Sequence, residues 1–64
     1  MNLKTYCGKN VNITTKKGNL FSGEITDYFY PEDNESNLES VVMETSSGDL
    51  IEFTSDNIEK ITVI

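Results

Sequence analysis

The chain has 64 residues, a single cysteine, no histidine and a formal net charge of −6. A domain of this size hides only about 60% of the surface its unfolded chain exposes, and its core alone rarely supplies more than roughly 3–5 kcal/mol of stability. Cys7 has no disulfide partner, and one thiolate without histidine cannot hold a structural zinc, so self-association is the staple that remains.

In chain order, Asn2-Leu-Lys-Thr-Tyr-Cys-Gly8 suits one helical turn, with Asn2 as its cap and Gly8 as its terminator. Val11 and Ile13 then alternate with Asn10, Asn12 and Thr14, the period of a half-buried strand. Lys16-Lys-Gly-Asn19 supplies a turn in which Gly18 and Asn19 both suit positive φ. The aromatic and β-branched stretch Leu20–Tyr30 reads as a long second strand, with Phe21, Gly23 and Ile25 on one face.

Strict alternation beyond Ile25 would carry Asp27 into the core, so a bulge or sharp bend is expected there, turning Tyr28 or Phe29 inward. Gly23 suits the same curvature, since a strand glycine often marks close backbone approach. Pro31–Asn37 is a polar, acidic loop. Leu38–Thr45 forms a third strand, Ser46-Ser-Gly48 turns it, and Asp49–Thr54 runs back as the fourth. Ser55-Asp-Asn57 is too short for a full helix and reads as a 3₁₀ bridge capped by Ser55 or Asp56. Ile58 would plug the end of the core, and Ile61–Ile64 makes the fifth strand. Short strands, tight turns and one strongly bent strand predict a single all-β domain over residues 1–64. Its expected form is a small five-stranded barrel, closed or nearly closed, with at most a short N-terminal helical turn.

Charge is unevenly placed. Residues 1–20 carry four lysines and no acid, whereas residues 21–64 carry all eleven acids against Lys60, so the two parts hold +4 and −10. That balance opposes loose attraction to nucleic acid or anionic membrane, although the lysine-bearing end can meet an acidic surface. Of the six aromatics, Tyr28 and Tyr30 are the best placed to stack on bases, and the others are read as core. Asp27, Glu32, Asp33 and Glu35 lack the spacing of a calcium loop, so they read as a solvated loop, with neither metal nor other cofactor expected.

Cys7 could be activated only by Lys4 or Lys9 and is read as a packed thiol. Without histidine and with little volume for a concave pocket, the chain is expected to be a non-enzyme with no small-molecule substrate. No apolar run approaches a membrane span, the amino end lacks a signal-peptide stretch, and a single free cysteine fits a reducing compartment. A cytoplasmic protein without membrane association is expected.

From Val11 to Ile61 these residues resemble the Sm-like family, within the broader SH3-like barrel class. Val11-x-Ile13, then Gly18, then Phe21-x-Gly23-x-Ile25 and Tyr28 follow the spacing of the first Sm motif. Phe53-Thr-Ser-Asp-Asn-Ile-Glu-Lys-Ile61 lines up with the second, whose family form is apolar-Arg-Gly-Asp-Asn-apolar-x-x-apolar. The resemblance implies a homo-oligomeric ring in which the fourth strand of one copy pairs with the fifth of the next, placing Leu50 and Ile64 at the interface. It also implies single-stranded RNA as a ligand, with Tyr28, Asp33, Asn34, Thr54 and Ser55 as the candidate contacts. Here the chain departs from the pattern. Phe29 stands where the family has Asp, Asn34 lies one residue late, and Thr54 and Ser55 replace Arg and Gly. The scaffold signal survives while the ligand-reading signal is mostly absent. The expected function is therefore a self-assembling protein-interaction module with a degenerate RNA site; a ring that binds single-stranded RNA through a modified pore is the alternative.

Overall fold

The computed structural model describes residues 2–64 and forms one five-stranded antiparallel sheet: β1 (Asn10–Thr15), β2 (Leu20–Phe29), β3 (Ser40–Thr45), β4 (Leu50–Thr54) and β5 (Ile58–Val63). The strand order is β4-β3-β2-β1-β5. The remaining regular pieces are single 3₁₀ turns at Leu3–Tyr6, Pro31–Asp33 and Ser55–Asn57. The strongly bent all-β architecture is the one expected. Closure is not reached: β4 and β5 form the two outer margins of the sheet rather than a shared seam.

The bend lies in β2. Its register against β3 shifts between Ile25 and Asp27, so the chain gains a residue and Tyr28 turns toward the core while Asp27 stays exposed. Phe29 is the outward one, 40% exposed. Gly23 is the other half of the bend. A Cβ there would run into the Glu44 carbonyl oxygen and would lie 2.7 Å from Met43 Cγ and 2.9 Å from the Glu44 carbonyl carbon. Only a residue without a side chain lets β2 and β3 approach this closely.

The bend folds the sheet over one core of Leu3, Val11, Ile13, Ile25, Val41, Met43, Phe53 and Ile58, all at most 3% exposed. Burying each such side chain stabilises the fold by roughly 1.5–3 kcal/mol. Leu3 reaches this core from the N-terminal turn, which is fastened by hydrogen bonds from Gly8 N to Ile25 O (2.8 Å) and from Ile25 N to Lys9 O (2.9 Å). Asn2 does not cap that turn through its side chain; its carbonyl accepts instead from Thr5 Oγ1 at 2.9 Å. The accessible surface is 4105 Å², about what a normally compact monomer of this mass exposes. A single copy is therefore fully folded down, and what remains open is its edges.

The two hairpin turns share one construction. In Thr15-Lys-Lys-Gly-Asn19 and Thr45-Ser-Ser-Gly-Asp49, the threonine carbonyl accepts from the glycine amide at 2.9 Å, and its amide donates to the carbonyl of the last residue at 2.9 Å. The threonine hydroxyl then accepts the amide of that last residue at 3.2 Å in both turns. Gly18 and Gly48 both sit at φ 89°. Asn19 does not share the positive φ expected of it, because the Thr15 hydroxyl holds its amide as the chain returns to extended form. Among the described residues, the only non-glycine residue at positive φ is Asn37, at 62° in the acidic loop.

Two strand limits also differ from expectation by more than one residue. β3 begins at Ser40 because Leu38 and Glu39 are tied into the loop. β5 begins at Ile58 rather than Ile61, pairing Ile58 with Thr15 across a register shift. Ile58 is 3% exposed and occupies the core end as expected.

Candidate functional site

Glu39 is where the loop, the N-terminal turn and the Ser55–Asn57 turn meet. Its Oε1 accepts the Leu3 amide at 3.2 Å and the Tyr28 hydroxyl at 2.9 Å, and its carbonyl accepts the Ser55 amide at 3.0 Å. Tyr28 packs edge-on against Tyr30, with centroids 5.1 Å apart and planes at 86°. Lys4 Nζ donates to the Tyr30 hydroxyl at 2.6 Å and stands 5.0 Å from the ring centroid. Partial burial, then the hydrogen bond to Glu39, push the Tyr28 phenol up to about 12. The hydrogen bond to Tyr30 raises Lys4 above its usual ammonium range, so it stays cationic.

The five candidate contacts are distributed around this junction. Tyr28 and Ser55 are brought together through Glu39. Asn34 donates its side-chain amide to Leu38 O at 2.7 Å and to Ser40 Oγ at 3.0 Å; Ser40 passes a hydrogen bond to Glu52 Oε2 at 2.8 Å. Ser40 is 0% exposed and pairs across the ladder with Thr54. Thr54 Oγ1 donates to Asp56 Oδ1 at 2.6 Å, and neither Ser55 nor Asp56 caps the 3₁₀ turn through its side chain. Asp33 is left apart, exposed in the Pro31–Asp33 turn, with its amide on Tyr30 O.

Hydrogen-bonding groups of Tyr28, Asn34 and Thr54 are thus already satisfied within the chain. A base docking there would have to displace bonds that hold the loop, at a cost for every buried partner left unpaired. Glu39 and Lys4 were not legible as part of this junction. Their partners lie 36, 26 and 11 residues away, and Glu39 reads in sequence as an ordinary strand residue. Among the described residues there is no detected cavity and no cluster of three or more His, Cys, Asp or Glu able to hold a metal ion. Cys7 is exposed rather than packed.

The second candidate surface is the pair of margins. Leu50 opens β4 at 67% exposure, and Ile64 follows β5 at 72%, its amide on Asn10 O at 2.9 Å. Cross-strand partners run Leu50–Glu44–Glu24–Asn10. Leu50 and Ile64 therefore stand at the two ends of one row across the whole sheet. Val63, 49% exposed, adds apolar surface to the β5 margin. No helix is long and apolar enough to cross a membrane among the described residues.

Comparison with known proteins adds no relative: no family model, no curated protein and no solved structure matches the chain.

Proposed function

We propose that the chain is a non-catalytic, Sm-like interaction module that assembles with copies of itself in the cytoplasm and carries a degenerate RNA site. The observation that carries this reading is the pair of bare sheet margins, β4 and β5, each with an exposed aliphatic residue at Leu50 or at Val63 and Ile64. An edge strand exposes unpaired amides and carbonyls and is a template for another chain unless covered. Joining β4 of one copy to β5 of the next is a head-to-tail contact, which closes into a ring when its rotation allows. The bend at Gly23 and the Ile25/Asp27 bulge supply the curvature that such a closure needs.

A second reading, RNA held at a modified pore, draws support from the Tyr28–Tyr30 pair with Lys4 against its outer ring. The satisfied side chains of Asn34 and Thr54 favour the first.

Light scattering and native mass spectrometry at micromolar concentration test the assembly. An oligomer larger than a dimer is expected, and Leu50→Asp with Ile64→Asp should reduce it to monomers. A wild-type monomer would sink the reading.

A further inference from the structure

We infer that the joint between copies is keyed by charge: the acidic flank built by β2, β3 and β4 in one copy docks against the lysine-bearing flank of β1 and β5 in the next. This rests on the self-assembly proposed above and names what makes that contact specific. Residues 20–54, which build β2 to β4 and the loop between them, hold nine acids and no lysine. Residues 9–19, which build β1 and its turn, hold three lysines and no acid, and residues 55–64, which build β5 and the turn before it, add Lys60 against Asp56 and Glu59, so this side remains cationic in balance. The strand order puts these two groups on opposite sides of the sheet, so segregation in sequence becomes a dipolar surface.

Within one copy the acidic flank is unfavourable. Glu24 and Glu44 are exposed and sit directly opposite each other in the ladder, an arrangement that destabilises a sheet. Lys60 pairs with Thr14, and Glu24 pairs with Asn10 in the same alternation of β1. The exposed Lys60 ammonium at the β5 margin therefore shares the outward face with Glu24 and Glu44. A second copy of this chain is thus a partner whose β5 margin offers Lys60 on the same face on which the β2–β4 flank presents Glu24 and Glu44.

The net charge of −6 opposes association as a whole. At physiological salt, however, exposed charges are largely screened beyond about 8 Å, so neighbours at the joint outweigh the distant charges. Salt weakens both effects and does not separate them. Charge reversal does.

The test uses sedimentation velocity on wild type, on a Glu44→Lys/Asp49→Lys variant, on a Lys17→Glu/Lys60→Glu variant and on their equimolar mixture. All four positions are exposed, and circular dichroism checks that each variant folds. Each variant alone should associate at least about ten-fold more weakly than wild type, as expected when interfacial charges meet their like. The mixture should reassemble, because the reversed flank of one variant then meets the reversed flank of the other, their unreversed flanks meet likewise, and the copies alternate. A chain with all four substitutions should also assemble. If either variant assembles alone as well as wild type does, the charge key is wrong while self-assembly stands. If wild type itself stays monomeric, the assembly reading fails and takes this inference with it.

Discussion

The rings of Phe21 and Phe53 lie 5.3 Å apart at an interplanar angle of 59°, although their strands β2 and β4 are separated in the sheet by β3. Such a contact exists only because β2 bends and folds its first half back over the core. Phe53 is 2% exposed, and Phe21 packs on it from the half-buried rim. Phe53→Ala should cost about 3–5 kcal/mol through the cavity it leaves. In a double-mutant cycle with Phe21→Leu and Phe53→Leu, the pair should show a coupling of about 0.5–1.5 kcal/mol. Urea denaturation measures both. Additive single effects would mean that the two halves of the sheet are less tightly closed than this contact requires.

The bend itself is tested at Gly23. The atoms a side chain would meet there include the backbone carbonyl of Glu44, which cannot rotate away as a flexible side chain can. Gly23→Val should lower stability by roughly 1–3 kcal/mol, the range for overpacking a tight site. Gly23→Ala should already be destabilising, since its Cβ meets the same carbonyl. An alanine variant that melts at the wild-type temperature would show that β2 and β3 can separate at no cost.

Alkaline pH reports on the Tyr28–Glu39 bond. The phenol is pushed up to about 12 from 10.0. Below pH 10 it is protonated in both states and its contribution is complete. Between the two values the unfolded chain loses the proton first, so stability falls as pH rises toward 12. Urea denaturation on either side of pH 10 should show this decline in wild type and a smaller one in Tyr28→Phe. Lys4, also raised, contributes a decline of the same sign in both proteins. Equal slopes in the two proteins would mean that burial and the bond to Glu39 do not hold the Tyr28 phenol protonated.

How far the sequence could be read follows from the range of each interaction. Val11/Ile13 and Phe21/Gly23/Ile25 announce their strands because alternation is local, and Asp27 announces the bulge because a carboxylate cannot follow Ile25 inward. The start of β5 was hidden because Glu59-Lys60 interrupts the alternation exactly where the register against β1 shifts at Thr14/Thr15. The shared Thr-x-x-Gly turn was legible only as two unrelated glycine turns, because its defining bonds come from the threonine hydroxyl and amide. Glu39 was hidden for the opposite reason: its partners Leu3 and Tyr28 become neighbours only after the sheet has bent.

The last prediction concerns Thr54 and Ser55. In an Sm-like site a guanidinium at the first position can stack on a base, and a glycine at the second lets the backbone approach. Thr54 has no charge and no planar fork, and its hydroxyl is already donated to Asp56 at 2.6 Å. The Ser55 amide is taken by the Glu39 carbonyl. Asp56 is exposed beside them, so a ring of copies would present an uncompensated carboxylate to phosphate at every subunit. Stacking contributes about 1–3 kcal/mol per base where an aromatic face is free, and here Tyr28 is held edge-on to Tyr30 with its hydroxyl on Glu39. Weak or undetectable binding of oligouridine is therefore expected at physiological salt, as measured by fluorescence anisotropy. The Thr54→Arg/Ser55→Gly variant should bind more tightly than wild type, because it restores the cation and frees the backbone approach. Submicromolar wild-type binding that is lost in Thr54→Ala would show instead that the threonine reads RNA directly, and that the modified pore is a working site.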